Sequence, residues 1–272
     1  MRTRNLVKNT FFYSAALALQ KILSLIYFIF LARTIGVENQ GKFSFALSFT
    51  AIFSMFLDLG LTQIIIRESA KDKNSAPEYL ANVIGFKLFF SVVIYSLIVV
   101  LVNLMGYPEI TKQLVYLAGL VMLIDSFSLS IYGVIRGHHN LWFESVGTLL
   151  NQLIVLIVGL IGLWLNWGLK SLMSIYLLGS LINFLWVAYN LKTIFNVSIK
   201  YQFNIKIILQ LLTWSLPFAA AGILNRIFSS LDIVLLSKLT NDWSVGIYSV
   251  AFKAAFALQF LALAFSASLY PA

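Results

Sequence analysis

What most constrains this chain is a succession of apolar runs, each about 20 residues long, with charged residues confined to the gaps between them. About 20 predominantly apolar residues is the length a helix needs to cross the hydrocarbon core of a bilayer. Eight such segments can be read, roughly at 11–32, 41–66, 82–104, 113–135, 143–165, 169–190, 208–236 and 246–272. Only 11% of the 272 residues are charged, where a soluble domain carries about a quarter. The expected fold is an all-α integral membrane bundle of many helices.

The net charge of +9 resembles a nucleic-acid signal, but its distribution argues against nucleic acid as a partner. Arg2, Arg4, Lys8, Arg67, Lys71, Lys73, Arg136, Lys192, Lys200 and Lys206 fall on one side of the spans. Arg33, Lys42, Lys112, Lys170 and Lys238 fall on the other. This two-to-one bias orients the N-terminus to the cytoplasm of a multi-pass cell-membrane protein. The first apolar run, Phe11 to Ala32, is too long for a signal peptide and has no A-x-A-like cleavage site before Arg33, so it is expected to be retained as a span. No cysteine is present, which removes any disulfide framework or thiolate metal site.

Outer loops such as Asn166 to Lys170 are very short, so consecutive helices should pack as antiparallel hairpins. The longest inner loop, about Leu191 to Lys206, divides an N-terminal six-helix lobe (1–200) from the start of a second lobe (201–272), two helices long and incomplete.

An internal repeat supports that division. At an offset of 205 residues, Ala15-Ala16 aligns with Ala220-Ala221, Lys21 with Arg226, Ser24 with Ser229 and Arg33 with Lys238. Beyond the turn Gly41 aligns with Gly246, Phe43 with Tyr248, Ser44 with Ser249 and Ala46 with Ala251. Six helices separate the copies, so both begin on the same side, as in parallel transporter repeats. A complete relative is expected to have at least 12 helices.

Ionisable residues at membrane depth cost about 2.5–3.5 kcal/mol each at a helix centre on insertion scales, and so mark candidate functional sites. Lys21 and Arg226 lie near the middle of the first and seventh helices. Lys253 lies roughly 10 Å in from Gly246, at about 1.5 Å per residue. Lys87 lies near the inner end of its segment, where snorkelling is the expected role. Polar stripes accompany these charges: Thr10, Ser14, Lys21 and Ser24; Ser44, Ser48, Asp58 and Thr62; Asp125, Ser128 and Tyr132; Tyr176, Ser180, Asn183 and Asn190; Ser215, Gly222, Arg226 and Ser229. A hydrated cavity and simple helix–helix hydrogen bonding both fit such stripes. Asp125 and Asp232 are candidates for proton or sodium coupling, or for charge pairing with Lys21, Arg226 or Lys253. Asp58 reads as a structural anchor near Arg67 and Glu68.

Other features are less informative. Adjacent His138 and His139 cannot share a helical face, so no metal site is expected. No phosphate-cradling loop, nucleophile elbow or HExxH run occurs, and no enzymatic activity, ATP-driven step or bound cofactor is expected. Pro217 is expected to interrupt the seventh helix as a hinge. Tyr107, Trp142, Trp164 and Trp167 read as interfacial anchors.

Three stretches carry a family likeness. The turn Arg33-Thr-Ile-Gly36-Val-Glu-Asn-Gln-Gly41-Lys-Phe43 is one. Asp58-Leu59-Gly60-Leu61 followed by Arg67-Glu68-Ser69-Ala70 is another. The third is Asp232 to Leu236 with Gly246 to Lys253 and Pro271. Together they resemble the polysaccharide-precursor (Wzx-like) flippases of the multidrug/oligosaccharidyl-lipid/polysaccharide (MOP) exporter superfamily. The resemblance implies two six-helix lobes around a central cavity, alternating access, and a substrate of undecaprenyl-pyrophosphate-linked sugar units. It also implies that Lys21, Arg226 and Lys253 face the pyrophosphate or acidic sugars, with membrane lipids and glycan polymerase or ligase machinery as partners. A cation-coupled multidrug antiporter of the same superfamily and a peptidoglycan-precursor flippase are the alternatives. A membrane glycosyltransferase would want catalytic residues in larger outer loops. The departure from the family pattern is the short second lobe.

Overall fold

In the computed structural model, which describes residues 2–195 and 203–269 and side chains over 12–195 and 203–255, the chain is all helical among the described residues. The elements are α1 (Arg2–Ile35), α2 (Val37–Asp58), α3 (Leu61–Lys71), α4 (Ala76–Leu104), α5 (Glu109–Gly137), α6 (Trp142–Trp164), α7 (Leu169–Thr193), α8 (Ile205–Leu239) and α9 (Asp242–Leu269). Six helices with described side chains are long and apolar enough to span a membrane, and the bent pair α2 and α3 makes a seventh. The protein is a multi-pass membrane protein. The readings on Thr10, Lys200 and Pro271 lie outside the described side chains.

The expected second span, 41–66, is not one helix. It breaks between α2 and α3 with a bend of 45°. Leu59 and Gly60 both adopt left-handed angles there, with φ of 47° and 72°. Left-handed backbone is cheap for glycine and costly for a residue with a Cβ, so Gly60 makes the break possible. A Cβ at Gly60 would also stand 2.8 Å from the Ala219 backbone nitrogen of α8, so the bend doubles as a seat for α8.

Pro217, by contrast, does not interrupt its helix: α8 runs unbroken from Ile205 to Leu239. A proline deletes one backbone hydrogen bond, and packing on both sides of the position can hold the helix through it. Here Ser215, Phe218 and Ala219 seat against Gly60. Both ends of α8 are tied to α4 and the turn after it. Asn82 accepts from the Asn204 backbone N–H at 2.7 Å at the N-terminal end of α8. At its C-terminal end the Tyr107 and Ser237 hydroxyls lie 2.9 Å apart, and the Lys238 ammonium donates to the Met105 carbonyl at 2.9 Å. Tyr107 is therefore a packing residue as much as an interfacial one, whereas Trp142, Trp164 and Trp167 are exposed.

Two apolar clusters fill the bundle. The larger, around Phe43, Phe45, Leu57, Ile98, Leu114 and Leu172, joins α1, α2, α4, α5, α6 and α7. The smaller, around Ile64, Leu80, Ile131, Val187 and Leu211, joins α3, α4, α5, α7 and α8 at the end of the bundle that holds the α3–α4 turn.

Lys87 does not snorkel. Its side chain is wholly buried, donating to the Asp58 carboxylate at 2.7 Å and to the carbonyl and hydroxyl of Ser126, each at 3.0 Å. The physical reason is that α4 begins at Ala76 rather than near residue 82. That sets Lys87 roughly 16 Å from the inner helix end, at about 1.5 Å per residue, beyond easy reach of water. Asp58 is structural as expected, but its partners are Lys87 and the Thr62 hydroxyl at 2.5 Å. Arg67 pairs instead with Glu68 at 2.6 Å and lies over the Trp214 ring.

Candidate functional site

Lys21, Arg226 and Lys253, from α1, α8 and α9, line one cavity of about 630 Å³. The wall between them carries the hydroxyls of Ser24, Ser44, Ser48 and Ser249, together with the rings of Phe28, Phe43, Tyr176 and Phe252. Among the described residues no carboxylate lies within 4.0 Å of any of the three cations. The Lys253 ammonium instead sits 4.7 Å from the centre of the Phe28 ring, a cation–π contact. Lys21 and Lys253 are near enough to repel each other.

The cavity obeys the 205-residue repeat. Five pairs of its lining positions are related by that offset: Lys21 and Arg226, Phe28 and Ile233, Ser44 and Ser249, Leu47 and Phe252, and Ser48 and Lys253. Equivalent faces of two helical hairpins thus meet around it. Lys253 breaks the symmetry, standing where the first copy has Ser48. Near their N-terminal ends α2 and α9 cross close beside the cavity. A Cβ on Gly41 would collide with the Asp242 carbonyl oxygen, and one on Gly246 would collide with the Val37 carbonyl oxygen. Such backbone contact is available only to glycine. α1 and α8 both contribute to the cavity wall.

A second cavity, of about 300 Å³, lies between α2, α5 and α8 and also touches Arg226 and Leu47. Asp125, Asp58 and Ser126 line it. Asp125 is open to this space, beside the buried Ser180 hydroxyl. Neither Asp125 nor Asp232 forms an ion pair within 4.0 Å among the described residues, so the direct pairing considered for them with Lys21, Arg226 or Lys253 is not observed. Asp232 accepts a short hydrogen bond from the Tyr248 hydroxyl of α9.

The polar stripes divide between the two roles left open for them. Lys21, Ser24, Ser44, Ser48, Tyr176 and Arg226 face the larger cavity. Others serve packing: the Tyr132 hydroxyl donates to Asn183 at 2.7 Å, and Asn190 to the Trp186 carbonyl at 2.7 Å. Three features escaped the sequence. Gln40 lines the larger cavity while almost wholly buried, donating to Ser44 at 3.1 Å; its repeat counterpart is the apolar Val245, so symmetry gave no hint of it. Phe28 was hidden in an apolar run. Arg136 grips the buried Glu144 carboxylate with two hydrogen bonds, and the Tyr13 hydroxyl of α1 joins that carboxylate at 3.1 Å.

Comparison with known proteins fits this geometry. Residues 6–272 match the profile of the family described as Polysaccharide biosynthesis protein. The capsular polysaccharide biosynthesis protein CapF of Staphylococcus aureus is 19% identical over 245 residues, covering 90% of this chain and 60% of CapF. Among solved structures, an inward-facing multidrug resistance transporter of the MATE family in the MOP superfamily superposes with a TM-score of 0.64 at 19% identity, over 86% of this chain and 57% of its own. The MATE multidrug transporter DinF-BH, solved as a complex, superposes with a TM-score of 0.70 at 14% identity, over 94% and 61%. The chain therefore spans about 60% of the length of the proteins it matches. These superpositions show a shared fold, and with a family profile matched over nearly its whole length the chain belongs to the polysaccharide biosynthesis protein family.

Proposed function

We propose that the protein is a flippase that moves lipid-linked oligosaccharide units, joined to their polyprenyl carrier through a pyrophosphate, across the cytoplasmic membrane by alternating access. The observation that carries this reading is the convergence of Lys21, Arg226 and Lys253 on one cavity, with no carboxylate among the described residues close enough to neutralise them. Unpaired cations held within the membrane favour an anionic guest, and a pyrophosphate offers closely spaced oxygens to receive them. The serine hydroxyls and aromatic rings of the same wall suit sugar rings, which present both hydroxyls and apolar C–H faces.

The multidrug antiporter is the second reading, favoured by the carboxylate of Asp125 in the smaller cavity. A cationic drug in the larger cavity would meet three positive side chains, which disfavours it there. A peptidoglycan-precursor flippase differs only in the glycan. Coupling to a proton or sodium ion is assigned to Asp125 rather than Asp232, whose oxygen is engaged by Tyr248. The N-terminus is cytoplasmic in this reading, and polymerase or ligase enzymes take up the delivered glycan.

The test is Lys21→Ala with Arg226→Ala in the full-length protein, scored by surface glycan at matched membrane expression. Loss of glycan is the expected result. Normal glycan from the double variant would remove the site.

A further inference from the structure

Ser44 and Ser249 occupy equivalent places in the repeat and both line the larger cavity, yet their hydroxyls are set differently. Ser249 donates to the Gly246 carbonyl of its own helix at 2.9 Å, a common arrangement for a helical serine. The equivalent carbonyl, that of Gly41, receives nothing from Ser44. The Ser44 hydroxyl instead accepts from the Gln40 side-chain amide at 3.1 Å and makes no other hydrogen bond among the described residues, so its proton is left for the cavity. Packing does not require an amide at this position. The repeat counterpart of Gln40, Val245, is fully buried with no polar group, whereas Oε1 of Gln40 is buried without a hydrogen-bond partner. An unmet buried acceptor is a cost that a valine avoids.

Depth separates this pair from the cations. Along each helix from the end beside the α2–α9 crossing, Ser44 lies roughly 10 Å in, Lys253 roughly 16 Å, Arg226 roughly 20 Å and Lys21 roughly 21 Å, at about 1.5 Å per residue. The rings of Phe43 and Tyr176, with centres 5.6 Å apart, line the wall next to Ser44.

We propose that Ser44, held as a donor by Gln40, forms a subsite for the first sugar of the guest: its hydroxyl donates to a sugar oxygen while Phe43 and Tyr176 meet an apolar face of the ring. This rests on the flippase reading above, which puts the pyrophosphate at the cations. A free hydroxyl donor finds no partner in a polyprenyl chain, so the Ser44 side of the cation layer suits the sugar rather than the lipid. Gln40 is a positioning residue, and Ser44 is the residue that touches the guest.

The experiment compares two probes binding to the full-length protein in nanodiscs: farnesyl pyrophosphate, and farnesyl pyrophosphate carrying one N-acetylglucosamine. The parent is expected to bind the sugar-bearing probe more tightly. Ser44→Ala and Gln40→Leu should each weaken that probe roughly 3- to 10-fold, as expected for one lost hydrogen bond, and leave farnesyl pyrophosphate unchanged. The Gln40→Leu/Ser44→Ala pair should lose no more than Ser44→Ala alone. Damage to the fold would weaken both probes together and add up in the pair. Equal binding of the two probes by the parent, undiminished binding by Ser44→Ala, equal losses for both probes, or additive losses in the pair each overturn the subsite. The flippase reading then still stands if Lys21→Ala with Arg226→Ala loses both probes. Undiminished binding of farnesyl pyrophosphate by that double variant overturns both.

Discussion

Gly41 and Gly246 each lie against the backbone of the other's helix, and through equivalent atoms. The Gly41 position abuts the carbonyl of Asp242, and the Gly246 position abuts the carbonyl of Val37. Residues 37 and 242 are related by the same 205-residue offset as residues 41 and 246. The α2–α9 crossing is thus a local twofold contact between the two copies of the repeat, and it fixes how closely they approach at the outer end of the cavity.

Alanine at either glycine should therefore have nearly the same effect, because each methyl group meets a backbone carbonyl that cannot move aside. Overpacking of this kind costs about 1–3 kcal/mol. Thermal unfolding of Gly41→Ala and Gly246→Ala in detergent measures it. A neutral result for one variant beside a damaging result for the other contradicts the twofold contact.

The Asp58–Lys87 pair predicts strong non-additivity. Removing one partner from a buried pair costs about 3–5 kcal/mol, because the remaining charge is left without compensation. Lys87→Met alone and Asp58→Leu alone should each lower the unfolding temperature sharply, and the double variant should recover most of the loss. Equal and additive losses would show that the two residues act separately.

Gly60→Ala tests the bend between α2 and α3. The substitution places a Cβ at a φ of +72° and 2.8 Å from the Ala219 nitrogen. A loss of about 1–3 kcal/mol is expected, together with increased proteolysis in the α3–α4 turn as α8 loosens. Stability at the parent level would mean that the bend does not seat α8.

The absence of cysteine from the chain permits an accessibility map. Single cysteines at Ser24, Ser44 and Ser249 should react with a small water-soluble thiol reagent, since these positions line the larger cavity. Cysteines at Phe89 and Val92, on the exposed apolar face of α4, should not. Mass spectrometry of the labelled protein in membranes reads the difference, and the reverse pattern would exchange the wet and lipid faces.

Much of this architecture was legible because membrane helices announce themselves by length and because an internal repeat can be aligned by eye. The pairing of Lys21 with Arg226 and of Gly41 with Gly246 came from one offset; the first pair lines one cavity and the second lies at the α2–α9 crossing. What stayed hidden depended on local backbone or on distant partners. The break at Leu59–Gly60 lies inside an apolar run that continues through it, so hydropathy could not register it. Lys87 was misplaced because the first turns of α4, with Pro77, Glu78 and Asn82, resemble a polar loop and hide the true start of the helix. The Arg136–Glu144–Tyr13 cluster draws its members from three helices, so no spacing in the sequence joins them. Arg136 had already been accounted for as a loop charge that sets orientation.

If the cavity reorients across the membrane, as the proposed flippase reading requires, its three cations would make the empty protein sensitive to voltage. Carrying one elementary charge through the full membrane potential is worth about 2.3 kcal/mol per 100 mV. The Asp58–Lys87 pair, having no net charge, would contribute nothing to such work. Lys21, Arg226 and Lys253 would contribute in proportion to how far they shift through the field in such a reorientation. On the proposed flippase reading, a guest with two or three negative charges would cancel that contribution, and the return of the unloaded protein, rather than the passage of the loaded one, would be the electrogenic half of the cycle.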